Sequence, residues 1–148
     1  MNVIALLNEL RSFGGKAVTT GLADDVIERF AGRDPKLQQA VEEAVAAHRE
    51  LRQQFGELLA LDEMDLVHRI QQDFVNFYAD DVVNPYVPLA ARGPWIVTSK
   101  GAVVHDSGGY GMLGLGHAPD AILEVLNRPQ VIANVMTASV SQLRMTKA

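Results

Sequence analysis

Gly93-Pro94-Trp95-Ile96-Val97-Thr98-Ser99-Lys100-Gly101-Ala102-Val103-Val104-His105-Asp106-Ser107-Gly108-Gly109-Tyr110-Gly111-Met112-Leu113-Gly114-Leu115-Gly116-His117-Ala118-Pro119 holds seven of the chain's twelve glycines. It reads as a short strand, Trp95 to Thr98, a turn at Ser99-Lys100-Gly101, and a second strand, Ala102 to His105, the two forming a hairpin. A glycine-rich loop follows, and Pro119 opens a helix. So many glycines between two regular elements shape a backbone for close approach, to a ligand or to another part of a protein.

Outward from this stretch the composition changes. Residues 1–82 carry a net charge of −7 and residues 83–148 a net charge of +2, with only eight charged residues in the latter. A surface so poor in charge is one that becomes covered, by the rest of a domain or by a subunit. Five of the six prolines lie between Pro85 and Pro129, and Asn84-Pro85-Tyr86-Val87-Pro88 is extended because each proline biases its predecessor away from helix.

Residues 1–82 read as helices. Val3, Ile4, Leu6, Leu7 and Leu10 form an apolar face that Gly14-Gly15 ends. Leu22, Val26, Ile27 and Phe30 mark a second helix, with Asp24-Asp25 in its first turn and Gly32 closing it. Asp34 caps a third and Pro35 takes its first position. Its stripe runs Leu37, Val41, Ala44, Val45, His48, Leu51, Phe55, Leu58 and Leu59, with His48 packed in the seam and a bend expected at Gly56. Asp62 restarts the helix, whose inner face is Val67, Ile70, Phe74, Phe77 and Tyr78, with His68 turned to solvent. After the glycine-rich loop, Asp120 to Leu126 forms a helix ended by Asn127-Arg128-Pro129, and Ser141 to Ala148 opens another. The paired acids Asp24-Asp25, Glu42-Glu43 and Asp80-Asp81 fall on solvated helix faces or ends.

Several classes of function are excluded or disfavoured. The chain has 148 residues, enough for one domain with its own core, and no cysteine, which removes disulfides, thiolate metal sites and cysteine nucleophiles. No apolar run reaches the roughly 20 residues needed to span a bilayer, and the N-terminus lacks the basic start of a signal peptide; no membrane association and a cytoplasmic location are the expectations. An acidic chain without a basic stripe is a poor partner for nucleic acid.

Three motif matches fail on context. Asp106-Ser107-Gly108-Gly109 is similar to the nucleophile segment of chymotrypsin-like proteases, but the first half of the chain is helical rather than a β-barrel. Gly109-Tyr110-Gly111-Met112-Leu113-Gly114 fits the dinucleotide fingerprint in spelling, yet Gly116 and Pro119 prevent a helix from starting at the loop, and the acids Asp120 and Glu124 come too soon. His105, Asp106 and His117 lack a regular element to fix a metal geometry, so no metal site is expected. His117 is read instead as serving the unpaired backbone groups of the helix that follows.

Taken together, Gly93, Trp95-Ile96-Val97, Gly101, Val104-His105-Asp106, Ser107-Gly108-Gly109, Leu115-Gly116-His117, Pro119 and the helix to Leu126 resemble, in order, the N-terminal region of class III pyridoxal-phosphate-dependent aminotransferases of the ornithine and acetylornithine type. The resemblance covers about 35 residues, and Ser99-Lys100 stands where the family turn carries an acid. It implies an α-rich α+β fragment: residues 1–82 as a helical N-terminal extension, and residues 83–148 as the hairpin, glycine-rich loop and helix at the front of the small domain of a fold-type I enzyme, cut short at the C-terminus.

It implies Gly101, Asp106, Gly116, His117 and Pro119 as structural motif residues, and Ser107, Gly108, Gly109 and Tyr110 as lining of the substrate entrance. The family's Schiff-base lysine, the aspartate on the pyridine nitrogen and the phosphate loop would lie beyond Ala148, and none of Lys16, Lys36, Lys100 and Lys147 stands in a matching context. The chain is therefore expected to be inactive alone, with no catalytic residue and no bound pyridoxal phosphate. Its partner is the rest of the aminotransferase chain or a second subunit, and the intact protein is a homodimer. The alternative is an autonomous helical interaction module with a glycine-rich docking tail.

Overall fold

The computed structural model describes residues 2–72, 82–108 and 114–127. The chain forms two compact units, Met1–His117 and Ala118–Ala148. The fold is mixed α/β, with five helices and one three-stranded antiparallel sheet among the described residues. None of the described helices is long and apolar enough to cross a membrane.

In the first unit, α1 (Val3–Arg11), α2 (Asp24–Ala31) and α3 (Pro35–Leu59) precede α4 (Glu63–Gln71) and the strands β1 (Pro88–Arg92), β2 (Trp95–Thr98) and β3 (Val103–His105). The helix starts follow local chemistry. The Asn2 side chain accepts from the amide of Ala5 at 3.0 Å, and the Asp34 side chain accepts from that of Lys36 at 2.9 Å, each satisfying a donor with no partner in the first turn. Gly32 ends α2. The bend expected at Gly56 lies one residue earlier, where Phe55 leaves helical geometry at φ −126° and ψ 29°.

The sheet runs β1-β2-β3. Val97 pairs with Val103 and Trp95 with His105, as the hairpin reading expects. The third strand, β1, begins at Pro88, the last residue of the stretch expected to be extended, and continues through residues 89–92, for which the sequence gives no expectation. It pairs antiparallel with β2, Ala91 opposite Ile96, with an irregularity between Pro88 and Ala90. Its proline stands at the first strand position, where a missing donor is tolerated.

The core lies between the helices and one face of the sheet. Val3, Leu7 and Leu10 of α1, Ile27 and Ala31 of α2, and Leu37, Ala40, Val41, Ala44 and Val45 of α3 meet Trp95, Val97 and Val103. Each fully buried leucine contributes roughly 1.5–3 kcal/mol. In α3 this cluster takes the first half; Leu51 and Phe55 are exposed, Phe55 at 49%, and Leu59 is buried again at the far end. His48 is buried at the end of the packed half, with Phe13 edge-on at 4.8 Å. His68 is exposed, as read.

Polar contacts fix the helices to the sheet. Asp34 caps α3 with Oδ1 and accepts the Trp95 indole N–H on Oδ2 at 2.7 Å. Glu43 takes a forked pair from Arg92, with Nη2 at 2.7 Å and Nε at 2.9 Å, and Asp24 pairs with Arg11 at 2.9 Å. Asp24, at the start of α2, and Glu43 remain solvated at 49% and 38% side-chain exposure, as expected, and each carboxylate also joins two elements. Asp62 stands at the start of α4, as expected, and its side chain accepts from the Lys16 amide rather than from the helix. Glu63 is fully buried, and its Oε2 accepts from Val18 and Thr19 at 2.6 and 2.7 Å.

The second unit contributes α5 (Asp120–Leu126), which starts after Pro119 and ends at Asn127. Phe74, Phe77, Tyr78, Asp80, Asp81, Gly109, Tyr110 and the helix expected from Ser141 lie outside the described residues.

Candidate functional site

The glycine-rich segment closes on itself at its base. Gly93 follows β1 with φ +55°, and His117 pairs with it as an isolated antiparallel bridge: the Gly93 amide donates to the His117 carbonyl at 3.0 Å, and the His117 amide returns the bond at 2.7 Å. Gly116, at φ +75°, lies against this bridge so closely that a Cβ there would stand 2.9 Å from the Gly93 Cα. Two backbones meet here without side chains between them, which requires glycine.

Asp106 completes the closure. Its amide donates to the Pro94 carbonyl at 2.7 Å. Its Oδ1 accepts from the Gly108 amide at 3.1 Å, and its Oδ2 lies 2.9 Å from His117 Nε2. Both side chains are largely shielded. The His117 ring therefore does not serve the backbone of the following helix, as read from the sequence; it turns back eleven residues to Asp106, a charge-assisted partner when the ring is protonated.

Between these ties is a cleft of about 300 Å³, lined by Lys36, Gly93, Pro94, Asp106, Ser107, Gly114, Leu115 and Gly116. Ser107 is exposed at its edge and Gly108 adjoins it. Of the residues implied to line an entrance, Ser107 and Gly108 are described and lie together. Gly101 lies elsewhere: at φ +72° it forms the β2–β3 turn, and a Cβ there would stand 2.9 Å from the Leu7 carbonyl of α1. Pro119 belongs to the second unit, at the start of α5.

Sequence reading missed Lys36. It arrives from the first turn of α3, and its stem lies across Gly93: a Cβ at that glycine would stand 2.8 Å from Lys36 Cδ and 3.7 Å from its Nζ. The contact joins residues far apart in the chain, and only the glycine at 93 hints at it.

A larger depression, about 590 Å³, lies beside Arg11, Thr19, Thr20, Gly21, Lys100 and Gly101. Its cations are already committed. Arg11 binds Asp24, Asn8 and the Gly101 carbonyl. Lys100, in the β2–β3 turn, donates to the carbonyls of Gly14 at 2.8 Å, Leu59 at 2.8 Å and Leu61 at 2.5 Å. Burial pulls the Lys100 pKa below that of an ordinary lysine, opposed by the charges of Glu63 and Asp62. Its three donors are nonetheless spent on carbonyls, two of them from the end of α3, so this side chain is a plug rather than a nucleophile.

No group of three His, Asp or Glu side chains among the described residues is placed to hold a metal ion. His105 packs edge-on against Trp95 at 4.9 Å. No family model, curated protein or solved structure matches this chain.

Proposed function

We propose that the chain is the N-terminal part of a class III pyridoxal-phosphate-dependent aminotransferase, supplying small-domain structure and substrate-entrance lining but not the reaction centre. The observation that carries the reading is the clasp. Gly93, Asp106 and His117, which the resemblance marks at separate points of the sequence, are linked by hydrogen bonds, with Gly116 packed against them, around a cleft edged by Ser107. A motif whose members hold one another is a scaffold that presents the small residues between them. The exposed Ile122, Leu123, Val125 and Leu126 of α5 support the same reading, because a short helix this apolar is suited to burial by a further part of the protein.

The described residues do not fit the cofactor by themselves. Lys100 has its ammonium locked to three carbonyls, and Lys16 and Lys36 are exposed. Pyridoxal phosphate would bring the electron sink for amino transfer between an amino acid and a 2-oxo acid; no step of that chemistry falls to these residues.

Two measurements test the proposal. The purified chain mixed with pyridoxal phosphate is expected to give no aldimine absorbance and no stoichiometric borohydride-trapped lysine adduct. The coding sequence downstream of Ala148 is expected to continue, in frame or after a frameshift, into a Schiff-base lysine segment. A stoichiometric adduct on this chain, or a downstream sequence without such a segment, would overturn it.

The second reading, an autonomous helical interaction module with a glycine-rich docking tail, is favoured by one observation: Leu51 and Phe55 extend the core stripe of α3 yet are exposed. A stable, cooperatively unfolding protein of residues 1–148, together with no lysine segment downstream, would select it.

A further inference from the structure

We infer that the ends of α1 and α3 build an ammonium cage, a site for a primary alkylammonium ion that the chain fills with its own Lys100 and that takes a free alkylamine once this side chain is shortened. Such a site stands whether or not the chain belongs to an aminotransferase.

Local chemistry brings the oxygens together. Gly14 and Gly15 turn the chain after α1 at φ +145° and +71°. A Cβ on Gly15 would overlap the Leu61 carbonyl and stand 2.6 Å from Lys100 Nζ, so a glycine is needed for the two segments to meet around the ammonium. α3 ends at Leu59, whose carbonyl is among the last four that a helix leaves without an intrahelical partner. The amides of Ala60 and Leu61 turn back to the carbonyls of Gly56 and Leu58, and Lys100 takes those of Leu59 and Leu61. With Gly14 they place three acceptors 2.5–2.8 Å from one nitrogen, on a residue only 4% exposed.

These features select a primary ammonium. Its three N–H donors match three carbonyls, and it carries no acceptor to oppose them. A guanidinium is a flat fork whose donors do not radiate from one point. Magnesium and calcium call for about six or more oxygen ligands, and the cage supplies three. The negative end of the α3 dipole favours a cation. So do Asp62 and Glu63, whose charges act on the ammonium against the cost of burial. Glu63 is fully buried with Oε1 unbonded, which leaves its charge to act here. The depression lined by Gly15, Lys100, Gly101 and Ala102 gives a free amine a route to the cage.

The test uses residues 1–148 carrying Lys100→Ala, with n-propylammonium as probe. Alanine keeps one carbon of the four-carbon lysine stem, and the probe returns the rest with its nitrogen. n-Propanol, tetramethylammonium and potassium are compared with it at matched ionic strength. Propylammonium is expected to raise the denaturation midpoint of Lys100→Ala saturably. At about ten times its dissociation constant the folded-to-unfolded ratio rises about tenfold, while the unsubstituted chain does not respond. In the unsubstituted chain the Lys100 ammonium protons are expected to exchange slowly with water and to show coupling, through hydrogen bonds, to the carbonyl carbons of Gly14, Leu59 and Leu61. A folded Lys100→Ala chain that ignores propylammonium overturns the proposal. An equal response to n-propanol overturns it in favour of void filling, and an equal response to tetramethylammonium or potassium in favour of charge alone. Where Lys100→Ala stays unfolded at every concentration, the ammonium signal decides: slow, coupled protons support the cage, and exchange as fast as at the exposed Lys16 and Lys36 overturns it.

Discussion

Asp106 and His117 meet at 2.9 Å between Oδ2 and Nε2 and close the base of the segment between them. Asp106 also receives Gly108, so one carboxylate orders both the exit from β3 and the return of the chain to Gly93. Replacing His117 by Gln or Asp106 by Asn keeps the size and removes the ionic character. Amide exchange at Gly93 and His117 is expected to accelerate about fivefold, the equivalent of roughly 1 kcal/mol, with little change at Val41 or Val45 in α3. Equal acceleration in α3 would show a global rather than a local effect.

Gly116→Ala and Gly93→Ala differ in what they strike. Both glycines have positive φ, which costs an alanine about 1–2 kcal/mol. At 116 the new methyl meets the backbone of Gly93 at 2.9 Å, whereas at 93 it meets the flexible stem of Lys36. Denaturant unfolding is expected to show the larger loss for Gly116→Ala. Gly93→Ala is expected to fold with the smaller loss, the Lys36 stem moving aside for the methyl group.

Lys100→Met removes the donor shared by three carbonyls at a site only 4% exposed. The orphaned carbonyls are expected to cost about 3 kcal/mol in total, read as a fall in denaturation midpoint at unchanged slope. A change below about 0.5 kcal/mol would mean that water replaces the ammonium at no cost.

Acid acts on two groups in separate windows. Burial holds the His48 imidazole below its ordinary value of 6.5, aided by Arg52. The unfolded chain therefore takes up the proton first, so stability is full above pH 6.5 and falls as pH drops from there toward the lowered value in the fold. Glu9 is held below 4.5 chiefly by its hydrogen bond from Arg49, so its contribution is lost at more acid pH, below 4.5. His48→Leu is expected to flatten the first window of a stability–pH curve and leave the second. A first window that persists in His48→Leu would assign it to another group.

The legible parts of this fold were those written in local chemistry. Asp34-Pro35 announces α3 because capping and a missing donor act within one turn. Trp95 to His105 announces a hairpin because alternation and the Gly101 turn are adjacent in sequence. β1 was not legible as a strand: Pro88 and the irregular step at Leu89 spoil its pattern, and β2 supplies the pairing that makes it one. Beside the cleft, Ser107 and Gly108 are marked through the family resemblance, but Lys36 is not. It reaches Gly93 from 57 residues away, and nothing near either residue encodes the other. His117 was given to the wrong neighbour for the same reason, because its partner lies behind it in the chain rather than ahead.

The plug at the end of α3 also sets an order of events. Leu59 is made 41 residues before the lysine that satisfies its carbonyl, and Gly14 is made 86 residues before it. A nascent chain emerging from the ribosome carries α1 and α3 while their far ends still face water. Only when the β2–β3 turn has left the exit tunnel can Lys100 fasten both at once. The helical half is written first and finished last, and a chain interrupted before residue 100 would have helices without their lock.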